Sequence, residues 1–221
     1  MNICMIPCRS GSERLPKKNY LELDGNNLVE RMVTKALKAE CFDKIVINSD
    51  DNFFQDISDK YSVDFFLRKE MYANSKATSE MVVNNFLDNF DCENLFWLNT
   101  ASPLSTIDDI KTSVTTFQES DYNSLVSSFS LKNHAIFDNK PLNFKFNSPF
   151  LKTQDIKEIN YFTYAVMGWN STSFKKFRNE KFQGLFPGKV LILNLSKWTT
   201  FLLKNQDDLF ICNSLLHVAP E

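Results

Sequence analysis

Apolar positions in the first 130 residues follow two alternating rhythms. Ile3–Cys8, Lys44–Asn48, Val63–Leu67, Leu95–Leu98 and Ser124–Phe129 are short runs rich in Ile, Val, Leu and Phe, of strand length. Between them, Asn27–Glu40 carries Leu28, Val29, Met32, Val33, Ala36 and Leu37 at helical spacing, and Asp51–Tyr61, Thr78–Phe90 and Ile107–Glu119 also predict helices. Thr78 or Ser79 suits the N-cap of the third helix. Thr106 suits that of the fourth, with Asp108 and Asp109 at its positive end. Strand–helix alternation predicts an α/β fold of three layers, doubly wound, with a mostly parallel sheet. Ligands of such sheets bind beyond the carboxyl ends of the strands. The loops after Ile6, Asn48, Leu67 and Leu98 therefore share the functional edge.

The rhythm breaks after Ser124–Phe129. From about residue 131 to 170, polar residues mix with Phe137, Phe144, Phe146, Phe150, Tyr161, Phe162 and Tyr164. This predicts a small antiparallel flap whose aromatic rings would either cover the site or be buried against a second subunit. Ser171–Arg178 then predicts a short helix, Lys189–Leu195 a strand and Gln206–Leu216 a closing helix. Residues 1–221 are expected to form one domain.

Composition removes several classes of function. A net charge of −2 gives no global field for nucleic acid or an anionic membrane, and no basic face is interleaved with aromatics. No apolar run reaches the ~18 residues of a membrane span. Cysteines 4, 8, 41, 92 and 212 show neither a CxxC pair nor zinc spacing. They read as reduced thiols of a cytoplasmic protein. His134 and His217 have no partners at a telling spacing and are expected at the surface.

The loop after the first strand, IPCRSGSERLPKKN, is the exception. Arg9, Arg14, Lys17 and Lys18 can give charge-assisted hydrogen bonds to an anion, and Gly11 and Ser12 let backbone N–H groups face it. It is not a Walker loop, since GxxxxGK[ST] is missing. On these residues alone, a solvated basic loop and a triphosphate-binding loop are equally good readings.

The pattern as a whole resembles I-P-A-R-x-G-S-x-R-x-P-x-K-N, a signature of the cytidylyltransferases that activate sialic and related nonulosonic acids. Cys8 replaces Ala, and Glu13 stands where Lys is frequent. Three further blocks follow in the family's order. FDKIVINSDD (residues 42–51) looks like F-D-x-V-V-V-S-T-D-D. Arg68-Lys69-Glu70 with Ala73 and Ala77-Thr78-Ser79 looks like R-P-x-E-L-A-x-D-x-A-x-S. LNTASPL (98–104) looks like L-Q-P-T-S-P-L. The resemblance covers roughly residues 1–120.

The resemblance implies a nucleotide-diphospho-sugar transferase-like fold, a homodimer, and transfer of CMP from CTP to a sugar acid. Arg9 and Lys18 would neutralise phosphates and act as the catalytic residues. Gly11 and Ser12 would hold the β- and γ-phosphates, and Asn19 would meet the ribose. Arg68, Ala77 and Ser79 would line the cytosine pocket. Asn99 and Ser102, with Lys152 and Gln154, would face the sugar acid. Such catalysis works by positioning and electrostatics.

The family also implies Mg²⁺ held by aspartates of an I-D-I-D-x-x-x-D element. Here the corresponding stretch is FLLKNQDD (201–208), with Leu202 and Lys204 at the two aspartate positions and no metal ligand to assign. Asp207 and Asp208 suit the first turn of the last helix instead. Three readings stay open: a metal held by the nucleotide and water, Lys204 as a fixed cation in its place, or a binding module without turnover. A glycosyltransferase is disfavoured, because Asn99-Thr100-Ala101 occupies the place of a D-x-D element.

Overall fold

The computed structural model describes residues 1–180 and 184–220. In chain order it contains β1 (Asn2–Pro7), β2 (Glu22–Leu23), β3 (Asn26–Asn27), α1 (Leu28–Ala39), β4 (Lys44–Ser49), α2 (Phe53–Tyr61), β5 (Asp64–Leu67), α3 (Ser79–Leu87) and β6 (Asn94–Leu98). There follow α4 (Ile107–Gln118), β7 (Ser124–Leu131), β8 (Ile136–Phe137), β9 (Lys140–Pro141), β10 (Ile159–Asn170), α5 (Ser171–Asn179), β11 (Val190–Asn194) and α6 (Gln206–Leu215).

Seven strands form one sheet in the order β11-β7-β10-β6-β1-β4-β5. Every pairing is parallel except the two made by β10, which runs antiparallel to both β6 and β7. The predicted mostly parallel three-layer fold is therefore the observed one. One boundary moves. The expected flap of 131–170 is too long, because Val166–Asn170 pairs with Leu98–Asn94 inside the sheet. Mixed polar and aromatic residues hid this strand, whose irregular stretch breaks the alternation. What remains outside the sheet is a β7–β10 ribbon (Leu131 opposite Ile159) and the β8–β9 hairpin.

The helices form where the sequence supplies both an apolar stripe and a cap. Asn27 accepts from the backbone N–H of Val29 (3.0 Å) and Glu30 (2.9 Å), while Glu30 accepts from Asn27 N–H (3.0 Å). Such a reciprocal cap contributes about 1 kcal/mol. Thr106 with Asp109, and Asn205 with Asp208, repeat it at α4 and α6. Thr78, rather than Ser79, caps α3. One face of the sheet buries Val29, Met32 and Val33 of α1, Phe54 of α2 and Ile110 of α4. The other buries Val83 and Phe86 of α3 with Phe174 of α5. The central strand β6 is covered on both faces, so Leu95, Phe96 and Leu98 read as an unbroken apolar run.

The sheet has one irregularity near its working edge. The β7–β10 register shifts between Phe162 and Met167, and Tyr164 sits at φ 52°. A bulky residue in the left-handed region costs about 1–2 kcal/mol unless neighbours compensate. Ser127 fixes both sides of the bulge: its hydroxyl pairs with that of Thr163 (2.9 Å) and accepts from Val166 N–H (3.1 Å). Asn99 completes the clamp, its amide donating to the Tyr164 carbonyl at 3.1 Å. The five cysteines are free thiols. His217 is exposed as expected, but His134 is half-buried, stacked on Phe150 with centroids 4.0 Å apart. Among the described residues no helix is long and apolar enough to cross a membrane.

Candidate active site

The carboxyl ends of β1, β5 and β6 open onto one cleft of about 380 Å³. Its walls include Arg9, Ser12, Arg14, Lys18 and Asn19 from the loop after β1, Arg68 and the 72–79 segment, and Trp97, Asn99 and Thr100 from the end of β6. Lys204, from the turn before α6, closes the rim. Residues scattered from position 9 to 204 converge because successive strands end on the same edge.

The loop after β1 is held from both ends. Ser10 gives its backbone N–H (2.9 Å) and its hydroxyl (2.6 Å) to the two oxygens of Asp50, at the end of β4. Tyr20 donates its phenol to Asp51 at 2.6 Å. Burial first, and then this bond, raises the Tyr20 pKa, while the same bond and the Phe53 N–H lower that of Asp51. Between these anchors, Asn19 is almost fully buried. It donates to the Arg9 carbonyl (2.9 Å) and accepts from the Thr100 hydroxyl (2.8 Å), tying the β1 loop to the β6 loop. Lys17 takes a left-handed conformation (φ 52°) at the turn that leads into Lys18.

Lys18 is the most perturbed cation of the cleft. Burial, then the fields of Arg14 and Arg9, push its ammonium down from 10.5 to about 8. Arg68 is 5% exposed, its Nε has no partner among the described residues, and burial lowers its pKa, with Cys8 and Asp50 acting in the opposite sense. Arg9 reaches across to the carbonyls of Ala73 (3.5 Å) and Asn74 (3.2 Å). Beneath them, burial pushes the fully buried Cys8 thiol up to about 12, so it serves as packing. Positive groups this close repel one another, and a polyanion is the complement that relieves them.

Of the residues singled out in the sequence, Arg9, Ser12, Lys18, Asn19, Arg68, Ala77, Ser79 and Asn99 line the cleft together. Gly11 is an exposed residue of the same loop, outside that lining. Ser102 is placed differently. It is fully buried, and its hydroxyl is 3.4 Å from the Thr199 carbonyl, so it braces the β6 loop from behind. Lys152 and Gln154 are exposed at a short turn of the flap, outside the cleft lining. Asn99 spends its carbonyl on Ala101 N–H (3.0 Å) and its amide on Tyr164. Sequence reasoning missed Tyr72 and Trp97. Trp97 was accessible in principle, since it lies one residue before Leu98 on the functional edge.

A site for Mg²⁺ does not fit this donor set. Glu13 is the one carboxylate among the described cleft residues, against five cationic side chains. Asp208 is occupied at the start of α6, where it accepts from the N–H groups of Lys204 (2.8 Å) and Asn205 (3.0 Å). No three His, Cys, Asp or Glu side chains cluster as a metal site among the described residues.

The cytidylyltransferase family model matches residues 3–197, nearly the whole described sheet. The chain belongs to the cytidylyltransferase family. A pseudaminic acid cytidylyltransferase of Campylobacter jejuni is 31% identical over 116 residues, half of each chain. An N-acylneuraminate cytidylyltransferase of Escherichia coli is 35% identical over 102 residues, 46% of this chain and 24% of that one. One from Streptococcus agalactiae serotype V is 30% identical over 135 residues, 60% of this chain and 33% of that one. The matched stretch thus spans half or less of these relatives' length. In fold, the chain is similar to a CMP:2-keto-3-deoxy-manno-octonic acid synthetase solved with CTP, at a TM-score of 0.71, 10% identity and 98% coverage of both chains. It is also similar to the 4-diphosphocytidyl-2C-methyl-D-erythritol synthase of Anaerococcus prevotii, at a TM-score of 0.69 and 12% identity over 98% of both chains.

Proposed function

We propose that this family member is an active cytidylyltransferase that transfers CMP from CTP to a nonulosonic sugar acid of the sialic-acid type. The observation that carries this is the convergence on one cleft of Arg9, Arg14 and Lys18, from a loop clamped by Asp50 and Asp51, with Arg68 from the end of β5. The names of the relatives support the acceptor class.

In the reaction the anomeric hydroxyl oxygen of the sugar acid attacks the α-phosphorus. A new P–O bond forms as the α–β bridging bond breaks. Pyrophosphate leaves with the electron pair, and the hydroxyl proton passes to water. Charge grows on the phosphate oxygens and the leaving group, so fixed cations accelerate the step without covalent chemistry. Arg9 and Lys18 take the phosphates. Ser12 and the backbone around Gly11 offer donors to the outer phosphates. Arg68 and the Ala77–Ser79 backbone flank the base. Asn19 and Asn99 act mainly by holding the walls in place. Ser102 supports the same wall, and Lys152 and Gln154 have no place in this chain's own cleft.

We also propose pairing with a second copy through the flap. Phe137, Phe146 and Phe150 are each about 70% exposed, and Tyr161, Phe162 and Tyr164 about 40%. At ~200 Å² per ring, these six leave roughly 650 Å² uncovered, near the ~800 Å² that each partner of a stable pair contributes.

Thermal unfolding with CTP, ATP, GTP and UTP, each with and without Mg²⁺, tests the nucleotide. At 100 times Kd a ligand adds about 2.7 kcal/mol, so a shift selective for CTP is expected. Equal shifts for all four overturn cytidine selectivity. Release of pyrophosphate on adding sialic-acid-type sugar acids then tests the acceptor.

A further inference from the structure

We infer that Lys204 is a polyphosphate-binding residue, supplying as a fixed ammonium group the charge that a carboxylate-held metal would otherwise bring. The inference rests on reading the cleft as a nucleotide site and concerns how that site neutralises its ligand.

Three features of the turn before α6 carry it. Lys204 lines the same cleft as Arg9, Arg14 and Lys18. Its backbone is fixed on both sides. The preceding Leu203 is buried and donates its N–H to the Ala101 carbonyl at 2.8 Å, joining the turn to the β6 loop. The N–H of Lys204 itself is held by Asp208 at 2.8 Å. The side chain, by contrast, is free to follow a ligand: the residue is exposed, and among the described residues its ammonium group forms no salt bridge. Asp208, at the start of α6, commits its Oδ2 to the backbone N–H groups of Lys204 and Asn205.

The electrostatics point the same way. A divalent cation seated on protein groups here would meet five side-chain cations and a single exposed carboxylate, the reverse of the oxygen-rich shell that Mg²⁺ requires. A triphosphate carries about four negative charges, and Arg9, Arg14, Lys18 and Lys204 match that number. Mg²⁺ can still arrive as a counter-ion of the nucleotide, but the protein does not have to hold it.

The test is calorimetric binding of tripolyphosphate and of CTP, each in EDTA and in Mg²⁺, to the wild-type chain, Lys204→Ala and Lys204→Arg. Lys204 is exposed, so neither variant should perturb folding, and unchanged melting temperatures check this. Wild type is expected to bind both ligands in EDTA within about threefold of its affinity in Mg²⁺. Lys204→Ala is expected to weaken both about tenfold in EDTA, and Lys204→Arg to restore most of the loss. Unchanged binding in Lys204→Ala overturns the inference. CTP binding that needs Mg²⁺ also overturns it while leaving the cytidylyltransferase reading intact. Tripolyphosphate binding that depends on Lys204, without any CTP binding, upholds it and overturns the cytidine reading. Binding of neither ligand overturns both.

Discussion

Replacing Lys18 by methionine tests the cleft's electrostatics from two directions at once. In the folded chain without ligand the ammonium titrates at about 8 instead of 10.5, because the cleft buries it beside Arg14 and Arg9. That depression is worth at most about 3.4 kcal/mol, and the hydration available at the cleft mouth reduces it to about 1–2 kcal/mol. The sign follows from proton counting. Between pH 8 and 10.5 the unfolded chain binds more protons at this lysine than the folded chain, so stability rises with pH across that window. Below pH 8 the full cost of burying the charge is present. Lys18→Met removes it, so the variant is expected to be about 1–2 kcal/mol more stable than wild type at pH 7, with the difference fading above pH 10. Polyphosphate binding reverses the perturbation and returns the pKa towards its ordinary value. Near pH 8 part of the unliganded population lacks this proton, so CTP binding takes up a fraction of a proton in wild type and none at this site in Lys18→Met. Urea unfolding against pH reads the first effect. Titration calorimetry of CTP in two buffers of different ionisation enthalpy reads the second, with the variant as the control for protons on CTP itself. A variant less stable than wild type at pH 7, or equal proton uptake by both proteins at pH 8, would refute the account.

Asp50→Ala strips Ser10 of two hydrogen bonds, one with the shortness of a charge-assisted contact. A loss of about 1–3 kcal/mol in stability is expected, together with at least a tenfold rise in the KM for CTP, because the loop loses its preset shape. Asn99→Ala frees the Tyr164 carbonyl and the Ala101 N–H. It should cost about 1–2 kcal/mol by urea unfolding, and lower the kcat with sugar acid more than it weakens CTP binding. Phe146→Glu places a charge among the exposed flap rings. It should convert a dimer to a monomer in light scattering without lowering the monomer's melting temperature, and a wild type that is already monomeric would remove the flap's proposed role.

The parts of the fold that were legible are those where one local rule dominates. The period-3.6 stripe of α1 sits between Asn27 and Glu40, and the apolar run of β6 needs no alternation because both of its faces are covered. Strand β10 was not legible, and the reason is specific. Its bulge turns Tyr164 out of register, so Tyr161, Phe162 and Tyr164 stay exposed while Ala165, Val166 and Met167 are buried. The sequence therefore shows a mixed pattern where the molecule has a twelve-residue strand. What holds that bulge comes from Ser127 and Asn99, more than thirty residues away in the chain, and no window on β10 contains them.

The site divides along a similar line. Charge is legible in one dimension: Arg9, Lys18 and Arg68 stand out as cations beside strand ends, and the fold brings them together. Roles of neutral polar residues are not legible, because an amide or hydroxyl serves a ligand or a neighbouring backbone with the same atoms. Asn19 and Ser102 show the difference. Both belong to blocks that resemble a nucleotide and sugar site, yet Asn19 joins two loops and Ser102 is sealed behind one of them. The same reasoning separates the two charged residues of the last turn. Asp208 resembles a metal ligand in sequence, but its Oδ2 caps a helix start three residues earlier. Lys204 looks like a loss in sequence, but it stands on the cleft rim. A carboxylate that caps a helix is already engaged by backbone N–H groups, whereas an ammonium group on the rim gains from every phosphate that enters. If the neutralising charge sits on the polypeptide, as proposed for Lys204, then metal independence, rather than inactivity, is the expected consequence of the altered element.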